Sequence, residues 1–214
     1  GVRVERRAAH YRDSNALRSA PVDRMIGGHL SLSWQIREGY SGYAALTRGY
    51  KAGGINPTAQ QIPDRLRSFD PEFVWNLETG LATRSADGRF DTRSSLFYMR
   101  RQQQQVSSSV QEDLQDPLTF VLLTNNAARG ENFGVESQLG FRPMPALRLG
   151  ASIALLKARF LEYTLENRNL AGRDAPHAPN HQVGLSAQWN SPAGWFARIE
   201  AQAVYGFFFS ASHD

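Results

Sequence analysis

A two-residue period in hydrophobicity returns along most of this chain and limits what it can fold into. Between Ala146 and Leu156, Leu147, Leu149, Ala151, Ile153 and Leu155 share one parity, and Arg148, Gly150, Ser152 and Ala154 fill the other. Val183, Leu185, Ala187 and Trp189 alternate with Gln182, Gly184, Ser186 and Gln188. Trp195, Ala197, Ile199, Ala201, Ala203, Tyr205 and Phe207 alternate with Arg198, Glu200 and Gln202. The same reading holds for Phe133, Val135, Leu139 and Phe141, and for Phe73, Trp75, Leu77 and Leu81. Successive side chains of an extended chain point to opposite faces, so each segment is a strand with one apolar and one polar face. Helical periodicity is hard to find. The fold class is therefore all-β.

Nine strands are expected, at residues 2–12, 24–36, 43–52, 70–84, 89–106, 132–142, 147–161, 181–190 and 195–208. Their connections alternate in length. Short links at 37–42, 85–88, 143–146 and 191–194 carry Asp-Gly, Pro or Gly at turn positions. Long links at 14–23, 53–69, 107–131 and 162–180 are rich in Gly, Pro, Asn, Gln, Ser and Arg. Short turns at one end and long loops at the other are the layout of a transmembrane β-barrel. Apolar runs stay short, as at Phe120–Leu123, far below the ~20 residues of a membrane-spanning helix. A barrel is not subject to that limit, because only every second residue of its strands meets lipid.

The faces leave two architectures open. In a soluble sandwich, Glu72, Glu78, Glu136, Arg148, Arg198 and Glu200 would meet bulk water. In a large barrel they would line a polar lumen. Ala151, Ala187, Ala197, Ala201 and Ala203 are small for a soluble core, where voids cost stability, whereas lipid fills around small residues. Aromatics sit beside the short turns: Trp34 and Tyr43, Phe141, Trp189 and Trp195. Such rings favour a membrane–water boundary, so a girdle is expected there. Both features favour the barrel. Closed bacterial barrels have an even strand number. Nine strands, an opening Gly-Val-Arg-Val and a final strand running into a loop read together as an excerpt of a larger barrel.

Several stretches resemble the C-terminal barrel of TonB-dependent outer-membrane receptors. Thr47-Arg48-Gly49-Tyr50-Lys51-Ala52-Gly53-Gly54-Ile55-Asn56-Pro57 is similar to that family's S-R-G-Y-K-A-G-G-F-N stretch. Pro71-Glu72 leading to Asn76-Leu77-Glu78-Thr79-Gly80 resembles its P-E-x-x-x-N-x-E-x-G strand. Ser95 to Arg101 with Gln102–Val106, Asn125-Asn126-Ala127 before Gly134-Val135-Glu136, and Ala178-Pro179-Asn180 follow in the family's order. The resemblance implies that residues 1–214 are part of a 22-stranded antiparallel meander barrel, whose plug domain and terminal strands this sequence lacks. It implies a Gram-negative outer-membrane location, surrounded by lipid and lipopolysaccharide. It also implies a role in importing a scarce nutrient, a ferric siderophore or similar chelate. The energy would come from the inner-membrane proton gradient through TonB, which would contact the missing N-terminal region.

On that reading, ligand contacts come from the long loops and the lumen near them. The candidates are Tyr50, Lys51, Asn56, Arg65, Arg67, Asn125, Arg129, Arg168, Arg173 and His177. Their arginines suit an anionic chelate through charge-assisted hydrogen bonds, although each could equally meet lipopolysaccharide phosphates or water. No catalytic residue, cofactor or metal site is expected. His177 and His181 are four apart, but Pro176 and Pro179 bracket His177 and argue against a helix. Zero cysteines remove disulfides and cysteine-ligated metals. The net charge of +4, from scattered basic residues, gives no nucleic-acid footprint. Two other function classes are compatible with an all-β chain. An outer-membrane lipase or protease would need Ser107–Ser109 and His177 or His181 in a constellation that their spacing does not support. A soluble carbohydrate-binding sandwich would carry its aromatics on the surface.

Overall fold

The computed structural model describes residues 1–12, 18–56, 67–111, 120–165 and 168–211. Nine long strands form one sheet: β1 (Val2–Ala8), β2 (Val22–Arg37), β3 (Tyr40–Lys51), β4 (Glu72–Arg84), β5 (Phe90–Gln111), β6 (Phe120–Met144), β7 (Leu147–Leu165), β8 (His181–Asn190) and β9 (Phe196–Tyr205). Each pairs antiparallel with the next in sequence order, and there is no helix among the described residues. This is the meander expected from the alternation. The two-residue strands Tyr11–Arg12 with Arg18–Ser19, and Gly54–Ile55 with Ser68–Phe69, close small hairpins at the loop end.

Register sorts the faces. Leu32 pairs with Ala44, Ala44 with Thr79, Thr79 with Leu96, Leu96 with Val135 and Val135 with Leu155. One rung on, Ser33, Tyr43, Gly80, Ser95, Glu136, Ala154 and Gln182 are linked in the same way. Along this belt one face is therefore mainly apolar, and the other carries the polar and small residues. Among the described residues no second sheet covers the apolar face: Leu30 is 73% exposed, Leu185 57% and Ile199 74%. A soluble sandwich would bury such residues against a second sheet, and the described residues place none there. The polar face lines a depression of about 750 Å³ that includes Glu136, Arg148, Gln182, Arg198, Glu200 and Gln202.

Local chemistry explains the tight end. Arg37 and Tyr40 close the first turn around Gly39, whose φ of +74° is favourable only for glycine and whose missing Cβ leaves room for the Arg84 carbonyl. In the second turn the Ser85 hydroxyl donates to Asp87, as does the Arg89 amide, and together they hold the Asp87 carboxyl below its usual range. Phe90 and Phe141 stack on the apolar face, with centroids 4.3 Å apart. Trp34 on the same face covers Gly42, and Trp189 and Trp195 are exposed beside the last turn. These rings form the expected girdle. Tyr43 does not join it. Paired with Ser33 and Gly80, it lies on the polar face, where its hydroxyl donates to Glu78 and its ring fills the space a Cβ at Gly80 would need.

The far end departs from expectation. Residues 107–131 read as a long loop, yet β5 runs to Gln111 and β6 starts at Phe120, with Ser107, Ser108 and Ser109 paired to Thr124, Leu123 and Leu122. Alternation reports the burial of one face. Above the apolar belt neither face is lipid-bound, so a strand there loses its pattern while its backbone still pairs. The ladder also slips between Asn126 and Gly130, beside Gln103 at φ +52°. The part of the 162–180 link after β7 folds back on that strand: Arg168 and Asn169 pair with Leu165 and Thr164, and the Ala175 amide reaches the Ala158 carbonyl. Phe160, Tyr163, Leu170 and Ala128 form a small buried cluster there.

Candidate ligand-binding loops

The long connections all gather at the end of the sheet opposite the tight turns, and the ladder decides how their side chains are used. Asn56 is buried, and its amide behaves as a surrogate strand residue. Its Nδ2 donates to the Thr124 carbonyl at 2.7 Å, and the Thr124 amide donates to its Oδ1 at 3.0 Å. Asn126 does the same for Asp70: the Asp70 amide donates to Oδ1 at 2.6 Å, and Nδ2 donates to the Asp70 carbonyl at 2.8 Å. Gln105 Nε2 adds a bond to the Ala52 carbonyl at 2.9 Å. Beneath them Arg101 pairs with the buried Glu72, whose other oxygen accepts the Gln105 amide. The described ends of the β3–β4 connection are thus sewn onto the β5–β6 hairpin.

The candidate residues within the described structure fall into four groups. Asn56, Arg67 and Asn125 share the sewn region, where the Asn56 amide donates to the Arg67 carbonyl and Asn125 follows Thr124. Asn56 holds the loop with both ends of its side-chain amide, so bracing is the role the geometry gives it. Arg129 lines a second depression of about 410 Å³ with Gln102, Gln103, Asn126 and Glu162, and its guanidinium pairs with Glu162 at 2.7 Å. Arg168, Arg173 and His177 follow one another along the fold-back on β7. The Arg173 carbonyl accepts the Phe160 amide. His177 sits at φ +57°, donates its amide to the Phe208 carbonyl and meets the Phe209 ring edge-on. Tyr50 and Lys51 end β3. The Tyr50 hydroxyl donates to Glu5 at 2.9 Å, while Lys51 is exposed. Arg65 lies outside the described residues.

Sequence reasoning missed Asn126, Gln105 and the exposed Phe209. The Asn125-Asn126 pair was visible, but only the ladder shows that Asn126 reaches across to Asp70. Among the described residues no group of three or more His, Asp or Glu side chains could hold a metal ion. The side chains gathered at the loop end are guanidinium groups, amides and aromatic rings.

Comparison with known proteins places this geometry. The family profile described as "TonB dependent receptor-like, beta-barrel" matches residues 1–213. The ferric yersiniabactin uptake receptor FyuA from Yersinia pestis superposes with a TM-score of 0.71 at 20% identity, over 92% of this chain and 28% of that one. BauA, the ferric preacinetobactin receptor from Acinetobacter baumannii, gives 0.63 at 19% identity, over 91% and 28%. The copper transporter OprC gives 0.64 at 13% identity, over 92% and 30%. The chain spans less than a third of the length of these solved proteins. The family is one of transporters and receptors, not enzymes, which removes the lipase or protease alternative. The chain belongs to the TonB-dependent receptor family, and its nine-stranded meander is a stretch of that family's outer-membrane β-barrel.

Proposed function

We propose that the complete protein is a Gram-negative outer-membrane receptor that captures a ferric siderophore at its loop end and imports it with proton-gradient energy delivered by TonB. Residues 1–214 supply part of the barrel domain; a plug domain and a TonB-contacting segment belong to the remainder of the protein. Family membership supports the transport class. The siderophore comes from two supports. FyuA and BauA, with the same fold, are receptors for ferric siderophores. The loop end also gathers Arg67 from the β3–β4 connection and Arg168 and Arg173 from the β7–β8 connection, and Arg65 stands two residues before Arg67 in the sequence. Guanidinium forks suit the carboxylate, phenolate or catecholate oxygens of such chelates. Arg129 belongs to the same end of the sheet, with its guanidinium paired to Glu162 at 2.7 Å.

The carrying observation is one sheet with a lipid-compatible face, a polar face and all its long connections at one end. Whole cells carrying the full-length receptor test the reading through binding of a radiolabelled ferric siderophore. Replacing Arg65, Arg67 and Arg173 together by Gln should weaken binding roughly tenfold or more, at about 1.5–3 kcal/mol for each charged hydrogen bond lost. Added salt should weaken binding by the intact receptor, since steering between exposed charges is screened. Unchanged binding after deletion of residues 53–69 and 107–131 would rule this ligand mechanism out.

A further inference from the structure

Above the tight-turn girdle, the apolar face ends in a charged patch whose carboxylates are sunk and whose cations project. Arg100 of β5 pairs with Glu131 of β6, and Glu131 with Arg159 of β7, so the three stand side by side on the apolar side of the sheet. Arg159 Nε donates to Glu131 Oε1 at 2.6 Å, and the Tyr98 hydroxyl donates to Oε2 at 2.9 Å. Two residues along β7, Lys157 meets Asp174 at 2.6 Å. The side chains of Glu131 and Asp174 are only 9% and 17% exposed, against 43% for Arg159 and 44% for Lys157. The outermost atoms are therefore positive. Glu131 accepts from two of the five N–H groups of Arg159, so donors remain. Directly toward the turns lie exposed Leu96, Phe133, Val135 and Leu155.

The height of this patch is fixed by the strands. From Phe90 in the girdle to Arg100 is about 34 Å of extended chain at ~3.4 Å per residue. At a tilt of ~40–45° that is about 25 Å, the height of a barrel's apolar band. The patch therefore falls where acyl chains give way to headgroups on the loop side. Arginine and lysine stems lying over apolar residues with their charges at that boundary are the arrangement an amphiphile with an anionic head would meet.

We infer that Arg100, Lys157 and Arg159 form a binding site for the phosphate of a phosphorylated glycolipid in the outer leaflet, with its acyl chains along Leu96, Phe133, Val135 and Leu155. Glu131 and Asp174 position the cations. The inference rests on the receptor reading, which puts the long loops outside the cell. Phosphate takes a bidentate guanidinium fork well. The surrounding belt selects a lipid over free phosphate.

Native mass spectrometry of the full-length receptor tests it, with bis-phosphorylated lipid A, its dephosphorylated form, phosphatidylglycerol and inorganic phosphate as probes. R100Q combined with K157Q should lower lipid A retention roughly tenfold or more, while R100K with K157R keeps most of it. Leaving Arg159 in place keeps Glu131 paired and the fold intact. R198Q, on the polar face, should leave retention unchanged. The inference is overturned by equal retention in R100Q/K157Q, by equal binding of dephosphorylated lipid, by phosphatidylglycerol binding as tightly, or by displacement with millimolar phosphate. A fluorophore on Leu96→Cys, tested for quenching by brominated lipids, separates the two readings. Quenching with unchanged lipid A retention sinks the site alone, whereas no quenching sinks the membrane placement and the site with it.

Discussion

Ala201 and Gln202 are neighbours in β9 that face opposite media. Ala201 pairs with Leu185 on the apolar face, and Gln202 pairs with Gly184 and lines the polar depression. Ala201 lies about 14 Å above Trp195, at ~3.4 Å per residue and a tilt of ~45°, close to mid-height of the apolar band. Arginine at 201 should therefore destabilise the full-length barrel by about 2–4 kcal/mol in lipid vesicles, and arginine at 202 by far less. Urea unfolding in vesicles measures both, and equal losses would contradict the face assignment. Small outward residues such as Ala201, Ala203 and Ala187 were the sequence's own pointer to lipid. A soluble core would have left voids beside them. Tyr43 shows the limit of reading single residues. Its nearness to a turn suggested the girdle, but register against Gly80 puts it on the other face.

At the scale of elements, what matters is how a long connection becomes ordered. Asn56 and Asn126 each exchange two hydrogen bonds with backbone across the gap between the β3–β4 connection and the β5–β6 hairpin. Removing one such side chain leaves backbone groups without partners, at about 1–3 kcal/mol each where they are buried. Asn56→Ala with Asn126→Ala should therefore raise amide exchange at residues 52–56 and 67–71 while the β7–β8 region stays protected. Hydrogen exchange on the folded receptor reads this directly, and unchanged protection would show that the pairs carry no load. Strands β4 and β7–β9 were legible as elements because lipid on one face and water on the other write a period of two into them. The upper parts of β5 and β6 were not. That stretch of serines and glutamines carries no apolar period, and cross-strand backbone pairing keeps it extended. The fold-back of residues 168–175 on β7 was invisible for the same reason, since backbone bonds set it.

At the scale of the whole molecule, the sheet is an arc with two open edges among the described residues. β1 pairs only with β2, and β9 only with β8. Val2 and Val4 on one edge are 80% and 74% exposed, and Phe196 and Ile199 on the other are 78% and 74%. An open apolar edge is a template for pairing with another chain, and closed barrels avoid it by joining first strand to last. Every second residue of such an edge leaves its backbone N–H and C=O without a ladder partner, which lipid cannot supply. Residues 1–214 produced alone and refolded into detergent micelles should therefore self-associate through β1 and β9, whereas the full-length receptor stays monomeric. Sedimentation in density-matched detergent reads the difference. Replacing Ile199 by Lys and Val4 by Lys should reduce the association, since charge on an edge strand opposes pairing. A monodisperse monomer of the 214-residue segment with its strand content intact would show that the arc satisfies its own edges, and that closure contributes less to this fold than its open ladder implies.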